Sequence, residues 1–197
     1  MIHYYNKNQI SFFKKKKISA NIRGNLLEFF TGTGVFAKRK IDKGTLLLAN
    51  KAIINDNWKI LDLGCGYGAI GIAIAKSNSS VNVIMSDINK RAVMLAKENI
   101  LLNKIRNASV IHSDLFQNIN EKFDSILLNP PQSAGRELCI KMITESKDHL
   151  LSKGLFQMVA RHKIGGKELE KKMLQIFGNV KQIAKKSGYR IYVSVKE

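Results

Sequence analysis

The hydrophobic pattern from residue 60 onward alternates between short apolar runs and longer amphipathic stretches. Short apolar runs that stop at a polar or turn residue predict buried strands of a parallel sheet, because helices cover both faces of such a sheet. The predicted strands are residues 60–63, 82–87, 108–114, 124–129 and 155–160.

Helical periodicity fills the segments between these strands. Leu169, Met173 and Phe177 recur at intervals of one helical turn, which predicts an amphipathic helix. Gly178 follows this helix and Gly154 follows the preceding one, and we expect each glycine to end its helix. The predicted helices are residues 69–75, 90–102 (capped by Asn89), 136–151 and 166–177.

Two further apolar runs, 180–184 and 189–195, lie on either side of Ser187-Gly188 and predict a final antiparallel pair of strands. Strands that alternate with helices through residue 177 are typical of an α/β fold. We therefore expect a doubly wound, mostly parallel seven-stranded sheet with an antiparallel last strand.

The first 50 residues follow a different pattern. Residues 1 to about 20 are polar, aromatic and basic and contain the run Lys14–Lys17, which indicates either a solvated arm or an arm that contacts RNA. Alternating apolar positions and turn signals predict short strands or a hairpin between residues 18 and 48. We expect a basic arm with a small β extension at 1–50, packed on a main domain at 51–197.

The charge balance favours a polyanionic partner. Thirty-three Lys and Arg residues against fifteen Asp and Glu residues give a net charge of +18. Nucleic acid is the simplest such partner, because neutralised phosphates release counterions, while a lysine-rich surface that keeps the protein soluble is the alternative. Clusters at 14–17, 38–43 and 181–190 are candidates for phosphate contacts or for plain solvated faces.

The two cysteines, Cys65 and Cys139, cannot form a disulfide framework and lack metal-ligand spacing. The sequence has no secretory signal, and no apolar run approaches the roughly 18 residues of a membrane span. We expect a soluble, cytoplasmic protein that uses no metal and contacts no membrane.

Polar residues end four successive predicted strands: Asp62, Asp87, Asp114 and Asn129. In an open α/β sheet the carboxyl ends of the strands line one crevice, where ligands bind. We therefore expect these four side chains to converge there.

Three glycines at alternate positions, Gly64, Gly66 and Gly68, follow the first strand. The segment Gly66–Gly71 fits G-x-G-x-x-G, which is typical of nicotinamide cofactor sites. Asp62, however, places a carboxylate beside the turn, which suits the α-ammonium group of S-adenosylmethionine better than a pyrophosphate.

The next two strand ends suit the nucleoside part of such a cofactor. Asp87 is placed to accept hydrogen bonds from both ribose hydroxyls of either cofactor, and Asp114 with the Leu115 backbone is placed to contact the adenine amino edge. The fourth strand runs into Asn129-Pro130-Pro131-Gln132, which holds the only prolines of the chain. Proline fixes φ and donates no N–H, so this tetrapeptide projects rigidly with free carbonyl acceptors.

Together these motifs resemble those of class I S-adenosylmethionine-dependent methyltransferases. The matching segments are Asp62–Gly68, Ser86-Asp87, Ser113-Asp114 and Asn129-Pro130-Pro131. The Asn-Pro-Pro motif marks members that methylate exocyclic amino or amide nitrogens. Further segments resemble the small-subunit ribosomal RNA guanine-N2 methyltransferases, namely Gly34-Val35-Phe36, Asp42-x-Gly44-Thr45 and Gly135. Short archaeal single-domain relatives of these enzymes match the length of this chain.

The resemblance implies a Rossmann-like methyltransferase fold and S-adenosyl-L-methionine as the cofactor. It implies cofactor contacts from Asp62, Gly64, Gly66, Gly68, Asp87, Asp114, Leu115 and Asn129. It implies catalysis by Asn129, Pro130 and Pro131, and substrate contacts from Phe36, Gln132 and Gly135. Related adenine and glutamine enzymes place an aromatic residue after Pro-Pro to stack on the target, so Phe36 is the stacking candidate where this chain has Gln132.

The implied reaction is methyl transfer to the N2 amine of guanine, with ribosomal RNA as the expected partner. Expected alternatives are a tRNA guanine-N2 enzyme, an adenine-N6 enzyme and a glutamine-amide enzyme. A nicotinamide oxidoreductase would leave the Asn-Pro-Pro motif unexplained, and a non-enzymatic RNA-binding module would leave the strand-end groups unexplained. The sequence does not indicate an oligomeric state.

Overall fold

The computed structural model describes residues 13–37 and 40–197, which form nine strands and five α-helices. The elements are β1 (Lys15–Ile22), β2 (Asn25–Gly32), α1 (Lys43–Lys51), β3 (Lys59–Leu63), α2 (Ala69–Ser77), β4 (Asn82–Asp87), α3 (Lys90–Leu102), β5 (Ala108–His112), β6 (Phe123–Leu128), α4 (Arg136–Asp148), β7 (Leu150–Arg161), α5 (Lys167–Phe177), β8 (Lys181–Lys186) and β9 (Tyr189–Val195). A 3₁₀ turn at Gln132–Ala134 precedes α4, and a π-helical turn at His162–Gly166 precedes α5.

The main sheet has seven strands in the order β5-β4-β3-β6-β7-β9-β8. β3 pairs in parallel with β4 and β6, whereas β9 is antiparallel to both β7 and β8. The strand order reverses between β3 and β6, and open α/β sheets bind ligands beyond the carboxyl ends of the strands at such a switch point. The predicted fold class is confirmed.

Apolar cores cover both faces of this sheet, because successive residues of a strand point to opposite sides. In β3, Ile60 belongs to the core that contains α1, α2 and α3, whereas Leu61 belongs to the core that contains α4 and α5. Both side chains are completely buried. Because helices pack on both faces, β3 is held firmly in the sheet, and its carboxyl end has a fixed position at the crevice.

The prediction of strands through residue 48 was wrong for its last part, because residues 43–51 form helix α1. Asp42 caps the helix: its Oδ2 accepts hydrogen bonds from Gly44 N at 2.8 Å and Thr45 N at 3.1 Å. A run of three leucines fits a strand or a helix equally well, and the cap selects the helix. The predicted division of the chain at residue 50 stays a prediction. Helix α1 crosses that point and packs against α2, β7 and β9.

Gly154 does not end a helix as expected. Helix α4 ends at Asp148, and Gly154 lies within β7, where the pairing with β6 shifts from Leu150 to Leu155. A Cβ on Gly154 would lie 2.8 Å from the carbonyl oxygen of Leu151. The glycine therefore permits a close backbone approach at an irregularity in the ladder.

A hairpin of β1 and β2 forms the small N-terminal sheet, and two asparagines of α3 attach it to the main domain. Asn99 accepts from Phe30 N at 2.7 Å and donates to the Phe30 carbonyl at 2.9 Å. Asn103 does the same with the backbone of Glu28 at 3.1 and 2.7 Å. The two side-chain amides thus pair with the edge of β2 as a neighbouring strand would.

Residues 1–12 of the predicted basic arm, and residues 38 and 39 of the second basic cluster, lie outside the described residues. Lys15 and Lys17 lie in β1, where they form ion pairs at 2.8 Å with Glu98 and Glu28. No helix in the described part of the chain is long and apolar enough to cross a membrane.

We expect Asn99→Leu to lower the free energy of unfolding by about 2–4 kcal/mol. The substitution keeps the branched shape of the side chain but leaves the backbone groups of Phe30 and the carbonyl of Tyr67, a third partner of Asn99, without hydrogen bonds. Equilibrium unfolding in urea measures the change. The control is Glu98→Gln in an exposed ion pair, which should change the value by less than about 1 kcal/mol. An equally small loss for Asn99→Leu would contradict this account.

Candidate functional site

A cavity opens beyond the carboxyl ends of β3, β4, β5 and β6, at the switch point of the sheet. It brings together most of the predicted site residues: Phe36, Gly64, Gly66, Asp87, Asp114, Leu115, Asn129, Pro130 and Pro131. Asp62, Gly68, Gln132 and Gly135 do not line it. Among the described lining residues there are two carboxylates and no Lys or Arg.

The glycine turn after β3 forms one wall. Gly64, Gly66 and Gly68 have φ values of +69°, +57° and +89°, a region that glycine adopts without the strain of a Cβ. Nothing lies within 4 Å of where a Cβ of Gly66 would stand, so the backbone at that point faces open space. Helix α2 begins directly after Gly68.

Asp87, at the end of β4, ties this turn to the neighbouring strand. Its Oδ2 accepts a hydrogen bond from Gly66 N at 2.8 Å, and its Oδ1 accepts from Asn89 N at 2.8 Å. Burial raises the pKa of the Asp87 carboxyl, while the N–H bonds from Asn89 and Gly66 act in the opposite direction. Each carboxylate oxygen has a second lone pair, so Asp87 can still accept bonds from a ligand.

Asp62 lies behind the turn and is almost completely buried. Its Oδ2 accepts a hydrogen bond from Gly71 N at 2.8 Å, while its Oδ1 has no hydrogen-bond partner in the described structure. Burial raises the pKa of Asp62 to about 7, and the negative charge of Asp87 adds to this effect. The contact of Asp62 with a bound ammonium group stays a prediction.

The loop after β5 has a fixed shape. Leu115 has a φ of +49°, and the hydroxyl of Ser113 donates to its carbonyl at 2.8 Å. The same hydroxyl accepts from Asn118 N at 3.1 Å. This arrangement holds Asp114 and the backbone of Leu115 at the cavity wall.

Asn129 has a fixed amide orientation. Its Nδ2 donates to Thr45 Oγ1 at 2.9 Å and lies 3.4 Å from Asp42 Oδ2. An ionised carboxylate only accepts hydrogen bonds, so the amide nitrogen is the atom that faces Asp42. Within the described residues nothing donates to Asn129 Oδ1, which is therefore available to a ligand in the cavity.

Asp42 is held in turn by the end of the chain. Its Oδ1 accepts a hydrogen bond from the Tyr189 hydroxyl at 2.9 Å, and that hydroxyl accepts from Arg161 Nε at 2.9 Å. Tyr189 and Arg161 were not predicted as site residues. Asp42 and Thr45 entered the sequence analysis only through a motif resemblance.

Gln132 uses its side chain within the protein. Its Nε2 donates to the carbonyl of Ile164 at 2.6 Å, and its Oε1 accepts from Arg161 N at 3.0 Å. The segment after Pro131 is thereby attached to the loop that follows β7. Phe36 lines the cavity with 37% of its surface exposed, which is compatible with the predicted stacking role.

Two residues of the cavity lining have buried hydroxyls without a hydrogen-bond partner in the described structure. Ser86 Oγ and Tyr67 Oη make no hydrogen bond in the described structure. Burial raises the pKa of the Tyr67 hydroxyl, which therefore stays protonated and can donate. Burial and the nearby carboxylates likewise raise the pKa of Cys65, so its thiol is not an activated nucleophile. The described lining combines two carboxylates with many apolar side chains, which suits a ligand that is cationic in one part and apolar in another.

Known proteins match the chain over most of its length. The family model described as "Methyltransferase small domain" matches residues 26–193. The uncharacterized protein YbxB of Bacillus subtilis is 34% identical over 98% of both chains. "Ribosomal RNA small subunit methyltransferase C" of Haemophilus influenzae is 34% identical and covers 86% of this chain. This chain covers 51% of that relative, so it spans about half the length of such curated relatives.

A solved structure shows the same fold. The Thermus thermophilus 16S rRNA N2 G1207 methyltransferase, in complex with AdoMet and guanosine, superposes with a TM-score of 0.83 at 22% identity. The match covers 96% of this chain and 52% of that chain. A methyltransferase from Pyrococcus furiosus superposes with a TM-score of 0.67 at 20% identity over 76% of this chain.

We expect the stability of the wild-type protein to fall, relative to Asp62→Asn, as the pH rises from about 4 to about 7. A carboxyl with a raised folded-state pKa keeps its proton longer in the folded than in the unfolded chain. Folding is therefore favoured below the unfolded pKa, and this advantage is lost as the pH passes the folded pKa. The difference in unfolding free energy should change by up to about 1.4 kcal/mol per pH unit.

Urea unfolding of both proteins across this pH range measures the difference. The asparagine side chain of the variant retains an oxygen that can accept from Gly71 N, so the backbone contact is matched. A difference that does not vary with pH would contradict the raised pKa of Asp62.

Proposed function

Because the chain belongs to the methyltransferase small domain family, we propose that it transfers a methyl group from S-adenosylmethionine to the N2 amine of guanine in RNA. The observation that carries the proposal is the amide of Asn129, which lines the cavity with its oxygen free of protein partners among the described residues. Small-subunit ribosomal RNA is the proposed substrate, supported by the relatives that are named for it.

The lining of the cavity supports S-adenosylmethionine over a nicotinamide cofactor. Carboxylates beside the turn repel a pyrophosphate, and the described lining has two carboxylates and no Lys or Arg to offset them. Asp87 is proposed to accept the ribose hydroxyls, the turn at Gly64–Gly66 to border the methionyl part, and Asp114 with Leu115 to contact the adenine. When bound, this cofactor would supply a methyl group on a sulfonium sulfur. The sulfur leaves as a neutral thioether, which is a good leaving group.

The acceptor nitrogen is a weak nucleophile, because the lone pair of an aromatic amine is delocalised into the ring. Asn129 Oδ1 and the Pro130 carbonyl are proposed to accept its two hydrogens and so turn the lone pair out of the ring plane. The Pro130 carbonyl already accepts from Gln132 N at 2.8 Å, which leaves it one further lone pair. Alignment and fixed dipoles supply the acceleration. Neither oxygen is basic, so the proton released by the nitrogen passes to solvent.

Asp42 and Thr45 act as positioning residues in this proposal. A primary amide can flip between two orientations of similar shape, and only one presents oxygen to the substrate. The carboxylate of Asp42 selects that orientation because it can only accept from Nδ2 of Asn129, and the hydroxyl of Thr45 stabilises it by accepting from the same nitrogen. Tyr189 and Arg161 hold the carboxylate in place.

The RNA substrate must present its guanine outside a helix, because the cavity cannot be reached by a stacked and paired base. The net charge of +18 supports a polyanionic substrate. Phe36 is proposed to stack on the base, since Gln132 is bound to the loop after β7. An enzyme that acts on ribosomal RNA also fits the predicted cytoplasmic location.

We expect tritium from labelled S-adenosylmethionine to appear as N2-methylguanosine in small-subunit ribosomal RNA. The assay compares separated small subunits, free ribosomal RNA, tRNA and protein, followed by identification of the labelled nucleoside or amino acid. Label in tRNA, adenosine or glutamine would support the corresponding alternative enzyme and contradict the proposal.

Two variants separate binding from catalysis in that assay. Asn129→Ala should reduce kcat about 100-fold or more and change the Kd for S-adenosylmethionine less than about threefold. Asp87→Ala should raise that Kd about 10- to 100-fold, because charge-assisted hydrogen bonds are lost. Thermal unfolding checks that each variant is folded. Equal effects of both substitutions on kcat and Kd would argue against these roles.

We expect Thr45→Val to lower kcat about tenfold at an unchanged Kd for S-adenosylmethionine. The loss of an orienting hydrogen bond should raise the activation free energy by about 1.4 kcal/mol. Valine keeps the shape of the buried side chain but cannot accept from Asn129 Nδ2, so the amide loses one of the contacts that orient it. Thr45→Ser restores the hydroxyl and should restore kcat. A serine variant as slow as the valine variant would show that packing, and not the hydrogen bond, matters at this position.

A further inference from the structure

We infer that a second surface, the basic groove, binds the phosphate backbone of the RNA next to the target guanine. The basic groove is lined by Arg161, Lys163, Lys185, Lys186 and Arg190, together with His162. It lies where β7 ends and where the turn between β8 and β9 approaches. The inference rests on the proposed function and assigns the site that holds its substrate.

The basic groove carries an excess of positive charge. No Asp or Glu is among its lining residues, and within the described chain no lining cation is in an ion pair. Lys185 and Arg190 stand directly opposite each other in the β8–β9 ladder. Like charges at opposite positions of a ladder destabilise it, and a bound anion removes that repulsion.

The two segments that supply these cations are fastened to each other. His162 N donates to the Gly188 carbonyl at 3.0 Å, which joins the loop after β7 to the β8–β9 turn. The ring nitrogen Nδ1 of His162 lies 2.7 Å from the Tyr192 hydroxyl. Lys163 on one segment and Lys185 and Lys186 on the other therefore project from a backbone of defined geometry. Cations spread over two segments suit a chain of phosphates better than a single small anion.

Hydrogen bonds connect the basic groove to the proposed active site by two routes. Gln132, directly after the Asn-Pro-Pro motif, binds the backbone of Arg161 and Ile164. Arg161 and Tyr189 lead through Asp42 to the amide of Asn129. A strand held in the groove thus runs beside the cavity that takes its base. This gives Gln132 a physical role at the position where related adenine and glutamine enzymes have an aromatic residue.

The experiment compares two charge-matched triple variants. The groove variant is Lys163→Gln/Lys185→Gln/Lys186→Gln, which leaves Arg161 and its contact with Tyr189 intact. The control is Lys104→Gln/Arg106→Gln/Lys122→Gln, whose residues are exposed near the amino ends of β5 and β6, on the opposite edge of the sheet. Each variant loses three positive charges, so the two differ only in where the charge is lost.

Binding is measured with a fluorescent oligouridylate of about twelve nucleotides at several salt concentrations. The groove variant should bind at least about tenfold more weakly, and the slope of log Kd against log salt should fall by about 2, or about 0.7 per lost contact with a single strand. The control variant should stay within about twofold of wild type. Thermal unfolding and titration with S-adenosylmethionine verify that both variants are intact.

Three outcomes would overturn the inference: no binding of oligouridylate by the wild type, equal losses in both variants, or displacement of the RNA by polyglutamate of equal charge at equal concentration. The last would assign the groove to an acidic protein partner. Oligouridylate contains no guanine, so this measurement does not depend on methyl transfer. If methyl transfer fails while the Kd for oligouridylate still depends on the groove residues, the proposed reaction is wrong and the groove inference stands. If the groove variant and the control variant bind equally well, the groove inference is wrong.

Discussion

The proposed active site depends on the carboxylate of Asp42. One of its oxygens caps α1 and lies 3.4 Å from the amide nitrogen of Asn129, and the other accepts from the Tyr189 hydroxyl. Because a carboxylate only accepts hydrogen bonds, this one group sets which atom of Asn129 faces the cavity. An early helix and the last strand of the chain thus meet at the residue that follows β6.

The positions of Asp87 and Asn129 were predictable because apolar runs define where the buried strands β4 and β6 stop. Asp114 lies two residues beyond the end of β5, a strand whose residues are only partly buried. The family resemblance drawn from the motifs is confirmed by the family match over residues 26–193. The contacts of Asp42 were not predictable, since Tyr189 lies 147 residues away and no local pattern encodes that pairing. Helix α1 was missed because its leucine run has no distinctive period, and the irregular pairing around Gly154 was missed because it depends on the partner strand.

Charge is divided sharply between two neighbouring surfaces. The described lining of the cavity carries Asp87 and Asp114 without a Lys or Arg, while the basic groove carries cations without an acid. A sulfonium with an ammonium group favours the first environment, and a phosphodiester chain favours the second. Under the proposed function each surface repels the ligand of the other, so that the methyl donor and the RNA backbone are directed to different places.

Asn99 links the N-terminal hairpin to the glycine turn, because its amide nitrogen donates both to the Phe30 carbonyl in β2 and to the Tyr67 carbonyl between Gly66 and Gly68. A displacement of the hairpin would therefore move the Asn99 side chain, and with it a hydrogen bond of the glycine turn. A fragment that began after the hairpin would retain every motif residue from Asp62 onward, but Asn99 would lose its two contacts with Phe30, which help to orient its amide toward the Tyr67 carbonyl. The glycine turn and a seemingly peripheral sheet are in this way connected through the side chain of one asparagine.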